Sequence, residues 1–511
     1  MNIFAPHITD GYKLGHSGQL DKDTDYVTSN FTPRDFTYAP SISGKKAEKM
    51  VFVGLQYAVK EYLINVWNDS FFHKPKAYAI EKLTRRINGY LGSGESLATI
   101  DMMSRLHDLG YLPISIKALP EGSKVNPGIP VFVITNTVPG FGPLVNYLET
   151  VLSTTVWPMC NSASLIEQYY NLAKSYGEKT GASSEFWLPF AIHNFAMRGH
   201  RGVEDGIISA FGHSLFSQGS DTFSVIDFVE EYYNADSTDF VAASVNASEH
   251  ATVCQQIAIN GGSHDGEVKA LKHFLTNVYP SGIFSYVSDS RDYYDVIANI
   301  SLELKDIILN RTVNANGQPP VLTFRPDSSK KTPYEVLLGD PDGETENERK
   351  GTFQLLWDNF GGTQEVGTMG AFRLLDSHVR VIYGEAISLD MAEKIYAGML
   401  ENGWCVGNVF FGVGSWAFIG NSSRDSYGIA CKATNSVVNG IDYPLQKDPK
   451  GTSAFKKSAR GRLKVIKTDG GYALQDNCTP EQENEGELKL FFIDGKIVNE
   501  QKFSTIAKLV K

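Results

Sequence analysis

At 511 residues, with 42% hydrophobic and 21% charged residues, the chain has an ordinary globular composition and enough apolar mass for a large core in two or more domains. Lys plus Arg number 47 against 58 Asp plus Glu, and the net charge of −11 argues against nucleic acid as the main partner, although a local basic cluster can still hold phosphates. The five cysteines, Cys160, Cys254, Cys405, Cys431 and Cys478, lie far apart without a C-x-x-C pair, which disfavours a disulfide framework or zinc site and fits a reducing cytoplasm; with no leader pattern in MNIFAPHITDGYK and no membrane-length apolar run, a soluble, unsecreted protein is expected.

Residues 1 to about 160 read as a mixed α/β region. Near its start, TDGYKLGH places Tyr12 beside Asp10 and Lys13 in a turn-like segment, and NFTPRDF adds Arg34; residues of these kinds serve packing as readily as binding. NGYLGSGES (Asn88 to Ser96) reads as a loop, and Pro113 to Val138, rich in Val, Ile and Pro, as short strands with turns.

From about 161 to 429, short apolar runs stop repeatedly at polar residues: AIHNFAMRG, SQGSDTF, SVNASEH, FSYVSDS, VLTFRPDSSK, VRVIYGE and VFFGVGS. Their markers, Asn194, Asp221, Glu249, Asp289, Asp327, Glu385 and Gly414, lie 27 to 58 residues apart, room each time for a helix and a return strand. Helical spacing of apolar residues fills several of the intervals, at Glu267 to Val278, Tyr293 to Leu309 and Met391 to Leu400, with a shorter case at Asp227 to Tyr233. A parallel α/β barrel shows this rhythm, and so does an open doubly wound sheet. Lys330 to Thr352, charged and containing glycine, reads as a solvated excursion. Beyond the barrel, Lys447 to Lys467 carries eight basic residues against the single acid Asp448, which suits either a solvated strand face or a polyphosphate site. The tail from about 468 reads as short strands and a final helix.

In parallel α/β folds ligands sit beyond the carboxyl ends of the strands. On the barrel reading, carboxylates from Asp221, Glu249, Asp289, Asp327 and Glu385 converge there with the cations Arg198, Arg325 and Arg424. A glycine loop, FGVGS (Phe411 to Ser415), lets backbone N–H groups approach an anion. The mixture suits a substrate that is anionic at its ends and develops positive charge in the middle, while each ion pair taken singly has a structural explanation. His250, after Glu249 at a strand end, is placed as a reactive imidazole or as a structural one. No G-x-x-x-x-G-K-[ST], H-E-x-x-H or G-x-S-x-G occurs, so P-loop, zincin and α/β-hydrolase chemistries are not the first choice.

Taken together and in order, TDGYK, HNFAMRG, GSDT, ASEH, VSDS, FRPDS, VIYGE, FFGVGS, SRD, KDP and KKSARGR resemble the nicotinamide phosphoribosyltransferase family over most of the chain. The resemblance implies an irregular TIM-like parallel α/β barrel of the type II phosphoribosyltransferase kind over 161–429, and a mixed α/β domain from 1–160 and 430–511. It implies transfer of a phosphoribosyl group from phosphoribosyl pyrophosphate to nicotinamide, with Mg²⁺, in a cytoplasmic homodimer whose two sites lie at the subunit interface. On this resemblance Phe195 and the partner's copy of Tyr12 sandwich the pyridine ring, and Asp221 accepts from the carboxamide. Arg34, Arg198, Arg325, Arg424, Lys432, Lys447 and Lys456 match positions around phosphates; Asp289 and Asp327 match acids beside the ring and ribose. Gly384 and Glu385 match the ribose site and Gly414 the phosphate loop. His250 matches a histidine phosphorylated by ATP, with Glu249 as its companion; the metal ligands stay unassigned.

Some positions depart from that pattern: Glu385 stands where Asp is usual, Ala386 and Ser329 replace glycines, and Ala430 replaces a serine. Two other readings remain open at this stage, a nicotinate phosphoribosyltransferase and a non-catalytic nucleotide-binding regulator.

Overall fold

A strand covered on both faces has no solvent side, so its residues run apolar without alternation until the chain leaves the sheet. Seven strands, the longer of which carry such runs, form one parallel sheet in the computed structural model, which describes residues 3–236, 238–327, 329–420, 422–450 and 457–511. The strands are β1 (Ile192–Asn194), β2 (Gly219–Ser220), β3 (Asn246–Ala247), β4 (Phe284–Val287), β5 (Leu322–Arg325), β6 (Val379–Tyr383) and β7 (Val409–Val413). Their order is β3-β4-β5-β6-β7-β1-β2, every pairing parallel.

The ring closes through an irregular stretch. Ala243, three residues before β3, forms a parallel bridge with Gly219 of β2, its N–H donating to Gln218 O at 2.7 Å while it accepts from Ser220 N at 3.0 Å. The open doubly wound alternative is thereby set aside in favour of an irregular barrel. β4 is buried along its whole length, as are Leu322 to Phe324 of β5, so the barrel interior is a packed core.

The intervals between strands hold the helices. Val225–Tyr233 and Leu389–Glu401 extend the expected segments by a turn or less, and Glu267 to Val278 falls on His264–His273 and a more loosely wound continuation, Phe274–Val278. Tyr293 to Leu309 is helical in four pieces, not one. The charged middle of Lys330 to Thr352 is largely exposed, as expected, but the stretch is not irregular: Thr332 accepts from Glu335 N and Thr345 from Glu348 N, and these two capping boxes start helices Pro333–Leu338 and Glu346–Phe360.

A second, antiparallel sheet joins the two ends of the chain. Its order is Ile441–Pro444, Ala430–Val438, Thr24–Thr32, Phe132–Asn136, Ile114–Ala118, Lys489–Ile493, Lys496–Ile497. The helix Glu149–Thr180 runs unbroken past residue 160. Val151, Leu152, Val156 and Cys160 enter the core of the antiparallel sheet, and Met159, Ala163, Ile166 and Tyr169 enter the barrel core. The last helix, Phe503–Val510, also puts Phe503, Ile506 and Val510 into the barrel core. Among the described residues no helix is long and apolar enough to cross a membrane.

Candidate active site

All seven markers sit at or just beyond the carboxyl end of a barrel strand, so residues up to 220 positions apart share one rim. The register explains how: parallel pairing brings Val413 level with Asn194, Asn194 with Ser220, and Val287 with Arg325.

Phe195 leaves β1 with its N–H still donating to Val413 O at 3.0 Å. Its ring lies against bare backbone. A Cβ built on Gly412 falls 2.2 Å from Phe195 Cε2, and one on Gly384 falls 3.1 Å from it, so the glycines of VIYGE and FFGVGS make room for an aromatic face. Asp221 follows β2, and its Oδ1 accepts from His193 Nε2 at 3.0 Å and from Ser244 Oγ at 2.6 Å. Burial alone raises an acid, but here His193, Ser244 and the charge of Arg325 outweigh it and hold Asp221 below the ordinary carboxylate range.

His250 opens the helix His250–Ile259, with the N–H of Glu249 donating to Thr252 Oγ1 at 3.4 Å. Its imidazole is held between two acids, Nε2 lying 3.0 Å from Asp289 Oδ1 and Nδ1 3.8 Å from Asp327 Oδ2. The Asp289 side chain is 4% exposed and the histidine 44%, so one acid is fixed in the wall while the imidazole faces outward. Arg325 ends β5; its Nη2 donates to Ser248 O at 2.9 Å, and the Ser248 hydroxyl in turn accepts from Val287 N. Arg198, on a short turn after β1, and Glu385, after β6, are exposed at the same rim. Ala386 adopts a left-handed backbone with φ 54°, which accounts for glycine as the residue the resemblance expects there. Gly414 precedes the short helix Ser415–Ile419.

The remaining described candidates lie apart from the rim, Lys432 in the antiparallel sheet, Arg34 and Lys447 just past its strands, and Arg424 and Tyr12 on 3-10 turns. Arg34 Nε donates to Gly428 O at 3.2 Å, and burial together with neighbouring Arg424 draws its guanidinium below the usual value. Lys432, opposite Asn30 in the sheet, is likewise lowered, first by burial and then by Arg34 and Lys447, with Glu149 opposing. Tyr12 is 67% exposed on an N-terminal 3-10 turn, anchored through its neighbour Lys13, whose Nζ lies 2.9 Å from Glu149 Oε2. Lys456 lies outside the described residues.

Among the described residues, no ion pair or ring contact joins the two groups. A cavity of about 840 Å³ opens between Tyr38 to Ser41, Trp416 to Gly420, Ser422, Ser423 and Asp425 to Tyr427, the neighbours of Arg424, yet none of the candidate residues themselves lines it. No three His, Cys, Asp or Glu side chains among the described residues converge as a metal cage.

His193 and Ser244 are the residues the sequence reading passed over. Both lie in quoted segments, and the signal available was a histidine inside a buried apolar strand, which requires a partner.

Comparison with known proteins follows from this geometry. Residues 190–490 match the model of the nicotinate phosphoribosyltransferase (NAPRTase) family. The chain is 40% identical over 489 residues to the nicotinamide phosphoribosyltransferase of Acinetobacter baylyi, covering 96% of this chain and 93% of that one. To the protein of the same name from Xanthomonas campestris pv. campestris it is 28% identical, covering 96% and 95%. Among solved structures, nicotinate-nucleotide pyrophosphorylase from Pyrococcus furiosus superposes with a TM-score of 0.56 at 16% identity, covering 99% of this chain and 94% of that one. Human nicotinic acid phosphoribosyltransferase gives 0.54 at 14%, covering 98% and 92%, and both support the fold.

Proposed function

From a chain that belongs to the nicotinate phosphoribosyltransferase family, we propose a nicotinamide phosphoribosyltransferase of NAD salvage acting in the cytoplasm. The pyridine nitrogen of nicotinamide attacks C1 of the ribose of phosphoribosyl pyrophosphate; the C1–O bond breaks and pyrophosphate leaves with the electron pair, giving nicotinamide mononucleotide. The observation that carries the choice of amide is Asp221. A carboxylate kept ionised, and held by the same His193 whose ring meets Phe195, accepts an amide N–H and repels the carboxylate of nicotinate. Relatives named for the amide, one of them 40% identical, support the same choice.

The ring of the acceptor lies on Phe195, with Tyr12 of the second subunit of a homodimer on its other face. Asp289 and Asp327 face the sugar as it gains oxocarbenium character, and carboxylates there lower the barrier electrostatically. Arg198 and Arg325 on the rim, with Arg34, Arg424, Lys432 and Lys447 of the other subunit and with Lys456, neutralise the phosphates. Mg²⁺ binds with few protein ligands when a diphosphate supplies the rest, so Asp289 and Asp327 suffice to receive it; bound there it would neutralise charge on the leaving pyrophosphate. ATP enters as a coupled substrate through His250. An imidazole nitrogen attacks the γ-phosphorus of ATP as ADP leaves, the helix N-terminus favours the resulting anionic phosphoimidazole, and water then displaces the nitrogen and carries the phosphoryl group off as orthophosphate, with Asp289 and Asp327 orienting the ring.

The test is formation of nicotinamide mononucleotide from nicotinamide and phosphoribosyl pyrophosphate, with and without ATP, beside the same assay with nicotinate. Faster turnover of the acid would overturn the amide assignment. ATP stimulation that survives His250→Ala would overturn the coupling.

A further inference from the structure

The carboxylate of Asp221 is not left to find its own orientation. The geometry points to His193 as a specificity-determining positioning residue, which locks one oxygen of Asp221 and presents the other to the substituent of the pyridine ring. This rests on Asp221 being the group that faces the substituent.

Two donors occupy Oδ1, His193 Nε2 at 3.0 Å and Ser244 Oγ at 2.6 Å, from opposite sides of β2 in the chain. The main chain is fixed as well, since Asp221 N donates to Asn194 O at 3.0 Å. With Oδ1 and the backbone both held, rotation about the carboxylate is suppressed, and Oδ2 is the oxygen left for an incoming amide. An unlocked carboxylate would turn either oxygen to the ligand and lose the entropy of that freedom on binding.

His193 is itself built in. Its side chain is 10% exposed, inside a strand whose other residues are buried. The Phe195 ring leans on it at 4.9 Å and 49°, so the aromatic platform and the acid share one support. A Cβ on Gly219 would lie 2.8 Å from His193 Nδ1, so β2 gives up a side chain where the imidazole passes. Behind β2, buried His213 bonds Gly219 O at 2.8 Å through Nε2, holding the strand that His193 crosses. Because Asp221 is a carboxylate, His193 Nε2 carries the proton in this contact. The imidazole touches neither the reacting carbon nor the phosphates; it acts through Asp221.

Steady-state kinetics on nicotinamide and nicotinate separates the possibilities, using the dimeric full chain, Asp221→Asn, His193→Phe and His193→Gln. Wild type should prefer the amide and Asp221→Asn should lose that preference; if either fails, the reading of Asp221 falls and His193 with it. Given both, His193→Phe, which fills the space without a donor, should raise KM for nicotinamide about tenfold with kcat within about twofold, and shrink the amide-to-acid ratio by a similar factor. His193→Gln restores an N–H at nearly the Nε2 position and should recover most of the ratio. A folded His193→Phe with an unchanged ratio would overturn the positioning role, and so would equal losses in Phe and Gln. If His193→Phe does not fold, His193→Met, smaller and equally without an N–H donor, takes its place in the comparison with Gln and is read by the same two criteria.

Discussion

The departures from the family pattern divide by what each backbone position demands. Gly412 and Gly384 are retained because the Phe195 ring occupies the space a side chain would need, whereas Ala386 stands in a left-handed conformation that a methyl group merely makes costly. That contrast gives a prediction at a single residue. Gly412→Ala would put a methyl 2.2 Å from Phe195 Cε2 and 2.9 Å from Gly384 Cα, and the second neighbour is backbone that does not move aside. The Phe195 ring must therefore tilt away. We expect KM for nicotinamide to rise about tenfold and stability to fall by about 1–3 kcal/mol, measured by initial rates and urea denaturation. Unchanged KM would mean that Phe195 is not the face on which the acceptor lies. The sequence could place Phe195 and these glycines near one another only through the order of strands. That they touch depends on parallel register, which no local pattern states.

Elements were legible where the chain changes character abruptly. A run such as VLTF ends at Arg325 because charge cannot follow it into the barrel, and every strand end marked in this way is a strand end in the structure. Capping boxes at Thr332 and Thr345 were equally local, but the surrounding charge masked them. What the sequence hid was buried polar chemistry linking distant elements. Glu121 is such a case. Its carboxylate accepts from Gly54 N at 2.8 Å, Gln56 N at 2.5 Å and Tyr233 OH at 3.1 Å, tying the start of the helix at Leu55 to the barrel helix Val225–Tyr233. Burial pushes its carboxyl up to about 7 despite those donors. A folded value above the unfolded one means that the stabilising proton is held below pH 4.5 and lost as pH rises through about 7. Glu121→Gln, which does not titrate, should therefore gain on wild type by about 2–3 kcal/mol between pH 5 and pH 8. Thermal melts at the two pH values measure that gap, and a constant difference would show that the donors keep Glu121 ionised throughout.

At the scale of the molecule, pairing of the chain's two ends was illegible because partners such as Asn30 and Lys432 lie 402 residues apart, and a strand carries no label for its neighbour. Yet this sheet decides where half the candidate site is. Its cations and Tyr12 make no ion pair or ring contact with the barrel rim among the described residues, where Arg198 and Glu385 are exposed. In the proposed homodimer, two-fold symmetry would complete such half-sites by placing the sheet of one copy over the rim of the other. The consequence is testable without knowing the dimer's geometry. Tyr12→Ala removes the sheet's contribution and Asp221→Asn the rim's, so each homodimer is impaired at both sites. Unfolded together and refolded as a mixture, half of the dimers should be mixed, and each mixed dimer should hold one site with both changes and one with neither. Activity of the mixture should then return to about a quarter of wild type, well above the mean of the two variants. Activity no greater than that mean, with exchange of subunits confirmed by mass, would place Tyr12 and Asp221 in the same site of the same chain.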